Sequence, residues 1–373
     1  MKPLKHIFAL APDRHTPPTY PHLAWRRHIY EGIRPFVDLL VIPEELDFSW
    51  ARQGHDVDLA PFEDQRCRNS ELLWKRIQAA HQQHGLDAVI TYCFSFDLVL
   101  DVVKQTTKLG IPWVNFYCDS THMFEKVEPL ARVTSLNWFP ESAAMPSYQA
   151  LGVPCLCAPY AWSTQWLPDL TNQSIARTLA FIGLPTSNRI TQLGWLRVLG
   201  CPAEIRGHGW VGGDKTPFYS PTPARKRLLK VLFKANLSEK IFRRLLWPLV
   251  RPMAKGPLRD EDFPKYVRES LVVLGLNQSP DPKGRLASYL KYRDMEFPGY
   301  GCCYLTEHNE DIPRVFDVGT EILTFRTIAE AAHHIRRIRG DPESARRIGR
   351  AGRRRVLEEH NWGVRLRQIQ ERL

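Results

Sequence analysis

A chain of 373 residues exceeds the size at which one hydrophobic core keeps growing, which excludes a small single-core protein and predicts two domains. With 43% apolar and 11% aromatic residues it can fill those cores, so a disordered chain is excluded as well. The formal charge of +11 points to an anionic partner, and where that charge sits tells more than its size.

The N-terminal run MKPLKHIFALAPDRH breaks at a proline and an aspartate. It is too short for a signal-peptide core or a membrane span and predicts a first buried strand over residues 6–11. Strand-like runs recur at residues 36–42, 87–92, 112–117, 133–139 and 155–158, with amphipathic stretches between most of them. Continuous apolar runs of this length, separated by helical patterns, predict a parallel sheet covered on both faces. The stretch FDLVLDVVKQTTKLG has helical spacing and stops on Gly110, where a helix C-terminus favours glycine. Residues 1–165 therefore read as one doubly wound α/β domain. The eight cysteines include Cys93, Cys118, Cys155, Cys157, Cys302 and Cys303 inside apolar runs, without CxxC pairs. They read as reduced core thiols of a cytoplasmic protein rather than as a metal or disulfide framework.

The proline- and tryptophan-bearing stretch APYAWSTQWLPDLTNQS interrupts this pattern and sets a boundary near residues 160–176. The alternation restarts with a strand at 178–183, a helix at 190–199, strands at 203–207 and 270–276, a helix at 285–297, and strands at 302–306 and 321–325. Thr327 and Glu330 have the spacing of a capping box. Asp341 and Pro342 open one C-terminal helix, and a second follows Asn361. Residues 175–355 thus form a second α/β domain, carrying a basic helical insert at 223–255, and the helix of 356–373 is expected to pack back toward the first domain. Two such sheets facing a cleft would bind ligands outside the carboxyl ends of their strands.

Three strand ends in the second half carry unusual chemistry. In FIGLPTSNR, Gly183 ends a strand ahead of Asn188 and Arg189, and in IRGHGW, Gly207 and Gly209 bracket His208. Glycines there let backbone amides approach an anion, although most glycines at strand ends simply make turns. In YRDMEFPGYG, Arg293 and Glu296 share one face of the expected helix near its C-terminal end, ahead of Gly299 and Gly301. They read either as a solvated ion pair or as a ligand grip. For the latter, a carboxylate suits vicinal hydroxyls such as those of a ribose, and an arginine suits a phosphate or diphosphate.

The run LVVLGLN, then Arg293 and Glu296, the glycine turn, FDVGTE and GRAGRRRVLEEHNWGVRLRQ resembles the C-terminal half of a CgeB-like glycosyltransferase, a group-1-type transferase of GT-B architecture. GIPWVNFYCDSTHMF and NWFPESAAMPSYQALGVPCLCAPYAW are similar to the N-terminal part of the same proteins, so the resemblance covers most of residues 85–373. It implies two Rossmann-like domains, the first for the acceptor and the second for a nucleotide-diphosphate sugar. The sugar would pass to a hydroxyl of a glycan, lipid-linked saccharide or small molecule. Glu296 would hold the donor ribose, Arg293 and the amides near Gly183 and Gly207 would face the diphosphate, and Asn277 and the backbone around Gly209 would contact the base. Many retaining relatives carry a second glutamate eight residues before the ribose carboxylate. Here position 288 is serine, so retention of configuration does not carry over.

A base for the acceptor hydroxyl is sought at strand ends of the first domain, where Asp119, His122 and His15 are the candidates, each also readable as a turn or capping residue. Asp119, in CDSTH after a strong strand, is preferred. Asp56-Val57-Asp58 and Asp260-Glu261-Asp262 resemble a DxD metal motif but read as solvated loops, so no metal or cofactor is expected. Between residues 224 and 255, ten basic residues (Arg225, Lys226, Arg227, Lys230, Lys234, Lys240, Arg243, Arg244, Arg251 and Lys255) face only Glu239, a net +9. Interleaved leucine, phenylalanine and tryptophan make this either a solvated helical insertion or a basic amphipathic helix for an anionic membrane surface. The expectation is a cytoplasmic glycosyltransferase, peripheral on the inner membrane face, acting in glycoconjugate assembly. The alternatives are a nucleotide-sugar epimerase of the same architecture and a nucleic-acid-binding protein. Lacking an RNP-type or recognition-helix signature, nucleic acid is not expected as a partner.

Overall fold

Parallel strands buried on both faces read as near-continuous apolar runs. The first sheet is built from six short, mostly apolar segments: β1 His6–Leu10, β2 Leu39–Val41, β3 Ala88–Thr91, β4 Trp113–Phe116, β5 Leu136–Phe139 and β6 Cys155–Cys157. The computed structural model describes residues 3–12, 27–48, 60–118, 120–166, 174–211, 245–280 and 286–373. The strands run in the order β2-β1-β3-β4-β5-β6 and every pair is parallel. β2 is shorter than the apolar run that announces it, because Pro35 places residues Arg34–Phe36 in a 3-10 turn first. Two asparagines inside β4 and β5 are fully buried and fully bonded. Asn115 accepts from the Thr91 hydroxyl and the Cys93 amide, and Asn137 accepts from the hydroxyls of Tyr117 and Thr134. They tie the carboxyl ends of adjacent strands together.

The second sheet repeats the scheme with β7 Arg177–Ile182, β8 Glu204–Arg206, β9 Ser270–Gly275, β12 Cys303–Glu307 and β13 Leu323–Phe325, ordered β13-β12-β9-β7-β8 and again all parallel. β10 Gln278–Pro280 and β11 Leu286–Ser288 form a separate two-stranded sheet. The helix expected at 285–297 is therefore corrected. Pairing captures residues 286–288, and the helix runs only from Arg293 to Gly299. The apolar spacing that suggested a longer helix includes Leu286, which is 52% exposed and contributes nothing to the core.

The chain divides into two compact units, Met1–Leu167 with Ser279–Met295 and Arg355–Leu373, and Pro168–Gln278 with Glu296–Arg354. In the first unit the C-terminal helix Trp362–Gln370 is capped by Asn361, which accepts the Val364 amide at 3.0 Å. Its Trp362 donates to the His28 carbonyl and meets Trp138 edge-on, ring centroids 5.5 Å apart. Arg365, 1% exposed, donates to the Pro159 and Glu359 carbonyls and to Gln368. Burial pulls its guanidinium down to about 10. In the second unit the end of the basic insert is a structural part of the domain. Leu246 packs where Gly194 leaves room, Val250 and Met253 are buried, and Ala254 bridges to Ile205. Arg251 and Lys255 stay exposed, and the insert's other basic residues lie outside the described residues.

Candidate functional site

An open parallel sheet forms a ligand-sized crevice where its strand order reverses, because the loops leaving the two adjacent strands diverge. In the second sheet that point lies between β7 and β9: the chain passes outward from β7 to β8, then crosses back to β9. Arg189 joins the two diverging loops. Its Nε donates to the Leu276 carbonyl at 3.1 Å and its Nη1 to the Leu184 carbonyl at 3.0 Å. Helix Ser187–Val198 holds it there, since the N-cap Thr186 hydroxyl accepts the Arg189 amide at 3.2 Å. The sequence singled out this arginine without assigning it a role.

Gly183 and Gly207 meet at the ends of β7 and β8. A Cβ on Gly207 would sit 2.2 Å from the Gly183 carbonyl oxygen, and φ is +140°, so only glycine closes this contact. The Gly183 amide donates to the Arg206 carbonyl at 3.0 Å and the Gly207 amide to the Gly256 carbonyl at 3.1 Å. The Gly183 carbonyl accepts from Trp210 Nε1 at 2.6 Å. Both glycine amides are thus committed within the domain, and an anion at these strand ends would have to meet the residues that follow. Trp210 is 1% exposed and stacks on Trp247, so the tryptophan of IRGHGW is a core residue.

Asn277, just beyond β9, is 2% exposed. Its side-chain amide donates to the Thr306 hydroxyl at 3.2 Å, and its backbone amide donates to Glu307 at 2.5 Å. Glu307 is a residue that sequence reasoning missed. It ends β12, is 2% exposed, and also accepts from the Gln278 amide at 2.7 Å and Gln192 Nε2 at 2.6 Å. Burial holds its carboxyl above the usual carboxylate range, against the opposing pull of these donors and of the Arg189 charge.

Glu296 lies in the first turn of helix Arg293–Gly299, not near its C-terminal end as the sequence suggested. At 4% exposure it is no member of a solvated surface pair. The helix is set by Asp294, whose carboxylate accepts the Lys291 amide at 2.6 Å. It closes through Gly301, whose amide donates to the Pro298 carbonyl at 2.7 Å with φ +82°. Beside it the Cys302 thiol is pushed well up by burial, with Cys303 and the Glu296 charge acting in the same direction. Arg293 opens the same helix and is partly exposed; the division between the two units passes between Met295 and Glu296.

On the first sheet, His15 and Asp119 lie outside the described residues. His122 falls within helix Ser120–Ala131, but its side chain is likewise outside them. Among the described residues, a carboxylate at this edge is Glu141, 0% exposed, just beyond β5. It accepts the Thr121 amide and hydroxyl, each at 2.8 Å, and so anchors the first turn of that helix. Asp56 and Asp58 are outside the described residues. Asp260–Asp262 is a 3-10 turn leading into helix Phe263–Arg268, with Arg259 paired to Glu261 and Asp262, each at 2.9 Å. Among the described residues, no group of three or more His, Cys, Asp or Glu gathers to hold a metal.

Residues 225–371 match a family model described as glycosyl transferase-like. A search of curated proteins found no match. Among solved structures, sucrose-phosphate synthase from Thermosynechococcus elongatus aligns with a TM-score of 0.59 at 12% identity, covering 98% of each chain. HepE of Anabaena, in complex with UDP-glucose, aligns at 0.55 and 12% identity over 99% of this chain and 100% of that one. A glycosyltransferase from Rickettsia africae aligns at 0.55 and 10% identity over 98% and 97%. The fold is that of GT-B glycosyltransferases. The GT-B fold accounts for the two parallel sheets, and the family match covers Asn277, Arg293, Glu296, Glu307 and the glycine turn, while Arg189 precedes it.

Proposed function

We propose that the chain is a glycosyltransferase, of the CgeB-like kind, that moves a sugar from a nucleotide-diphosphate-sugar donor to an acceptor hydroxyl. The observation that carries this reading is Glu296, a buried carboxylate in the first turn of a short helix closed by a positive-φ glycine. It lies inside the glycosyl transferase-like match. A carboxylate so placed accepts both hydroxyls of a ribose in a bidentate manner, and its burial makes each hydrogen bond stronger than it would be in water. The residues after Gly183 and Gly207 serve the diphosphate. The chemistry then rests on stabilising the leaving nucleoside diphosphate, with no metal required. The complex of HepE with UDP-glucose favours a uridine nucleotide and a hexosyl donor. The acceptor belongs to polysaccharide or glycolipid assembly, and the basic stretch 224–255 brings the protein to an anionic membrane surface.

A thermal-shift panel of UDP, GDP, ADP and their glucose conjugates tests the donor reading. A ligand at a hundred times its Kd adds about 2.7 kcal/mol of apparent stability, so one nucleotide series should raise the melting temperature clearly. A panel in which no nucleotide moves it contradicts the proposal.

A further inference from the structure

Glu307 is a buried charge that the sheet itself does not require. Strand pairing between β12 and β9 runs from Cys303 with Val272 to Thr306 with Gly275; Glu307 itself pairs only toward β13, with Phe325, so its side chain is what reaches the end of β9. Its carboxylate has no cation bonded to it among the described residues; its partners are two successive backbone amides and one side-chain amide. Burying a carboxylate is costly, and here the cost is offset by two successive amides that converge on one of its oxygens, a geometry that holds both in place.

The expenditure of charge is concentrated on one short loop. Residues 276–278 follow β9 at the point where strand order reverses. Arg189 holds the Leu276 carbonyl, Glu307 holds the amides of Asn277 and Gln278, and Asn188 Nδ2 donates to the Gln278 side-chain oxygen at 2.9 Å. Each of these bonds fixes the loop backbone or the Gln278 side chain, and none is a strand-pairing bond. We propose that Glu307 is a positioning residue for the donor, locking the backbone of Asn277 and Gln278 so that the loop after β9 meets the nucleoside end of a nucleotide sugar. This inference rests on the donor reading given above.

The test is calorimetric binding of the nucleoside diphosphate that stabilises the wild type, together with donor KM and kcat, for Glu307→Ala, Glu307→Gln and Glu307→Asp. Glu307→Ala is expected to raise Kd and KM at least about tenfold while kcat stays within about threefold. Glu307→Gln is expected to restore both to within about threefold, because its carbonyl accepts the two amides and the Gln192 amide can turn to face the new donor. If Glu307→Ala does not fold, Glu307→Asp carries the test, since it keeps the charge but withdraws it from the loop; a rise of about fivefold in Kd is expected. A merely structural role would lower the melting temperature and the active fraction without moving Kd or KM, and that result overturns the inference. If the wild type binds and Glu296→Ala abolishes binding while all Glu307 variants bind normally, this inference alone fails. If the wild type binds none of UDP, GDP or ADP, the donor reading and this inference fall together.

Discussion

Glu296, Glu307 and Glu141 are 4%, 2% and 0% exposed, and what each carboxylate does follows from which groups burial places against it. Glu296 was singled out in the sequence by its own neighbours, an arginine three residues before and a glycine turn just after. Glu307 and Glu141 were not. In TEHNE and FPESA each looks like an acid in a polar loop after a strand. Their partners come from far along the chain: Gln192 is 115 positions from Glu307, and Thr121 is 20 from Glu141. Only folding brings such pairs together, and single-sequence spacing carries no trace of it. The cysteines were legible for the opposite reason, since a thiol inside an apolar run needs no distant partner to be a core residue. None of the eight forms a disulfide, and burial pushes the Cys303 thiol up to about 12.

At the scale of elements, the strands were read nearly in full, because continuous apolar runs mark buried parallel strands without help from elsewhere. The error at 285–297 arose where a three-residue strand pairs with β10, an interaction too short to leave a period in the sequence. The motif GRAGRRR acquires its meaning here. On helix Pro342–Glu359, a Cβ at Gly349 would lie 2.2 Å from the Gly301 carbonyl oxygen, and one at Gly352 would lie 2.4 Å from that of Glu321. Gly349 lets the helix rest directly on the turn that follows Glu296, and Gly352 lets it approach the backbone at Glu321. Gly349→Val should therefore lower stability in urea unfolding by about 2 kcal/mol or more, through forced backbone displacement at a packed contact. It should also weaken nucleotide binding, because the displaced turn carries the end of the Glu296 helix. An unchanged unfolding midpoint would show that the contact yields without loss.

At the scale of the whole molecule, the net charge is concentrated in one stretch of the sequence. Nine of the eleven net positive charges are accounted for by residues 224–255. Within that stretch, 245–255 is built into the second unit, with Leu246, Val250 and Met253 buried. A membrane role therefore falls to 224–244 and to the exposed Arg251 and Lys255. Co-sedimentation with phosphatidylglycerol vesicles should be strong at about 10 mM salt, where screening reaches only beyond about 30 Å, and should fade toward 1 M. No binding at low salt would remove the membrane from the account. The two-sheet architecture was legible because alternating strand and helix patterns restart after residue 174. The assignment of Ser279–Met295 to the first unit was not, since nothing local marks a chain that leaves one unit and returns. Whether Glu296 holds the donor is read from calorimetric titration of the stabilising nucleoside diphosphate into wild type and Glu296→Ala. A Kd at least about tenfold weaker in the variant is expected, a loss of about 1.4 kcal/mol or more, with the unliganded protein still folded. Equal affinities in the two proteins would contradict that role for Glu296.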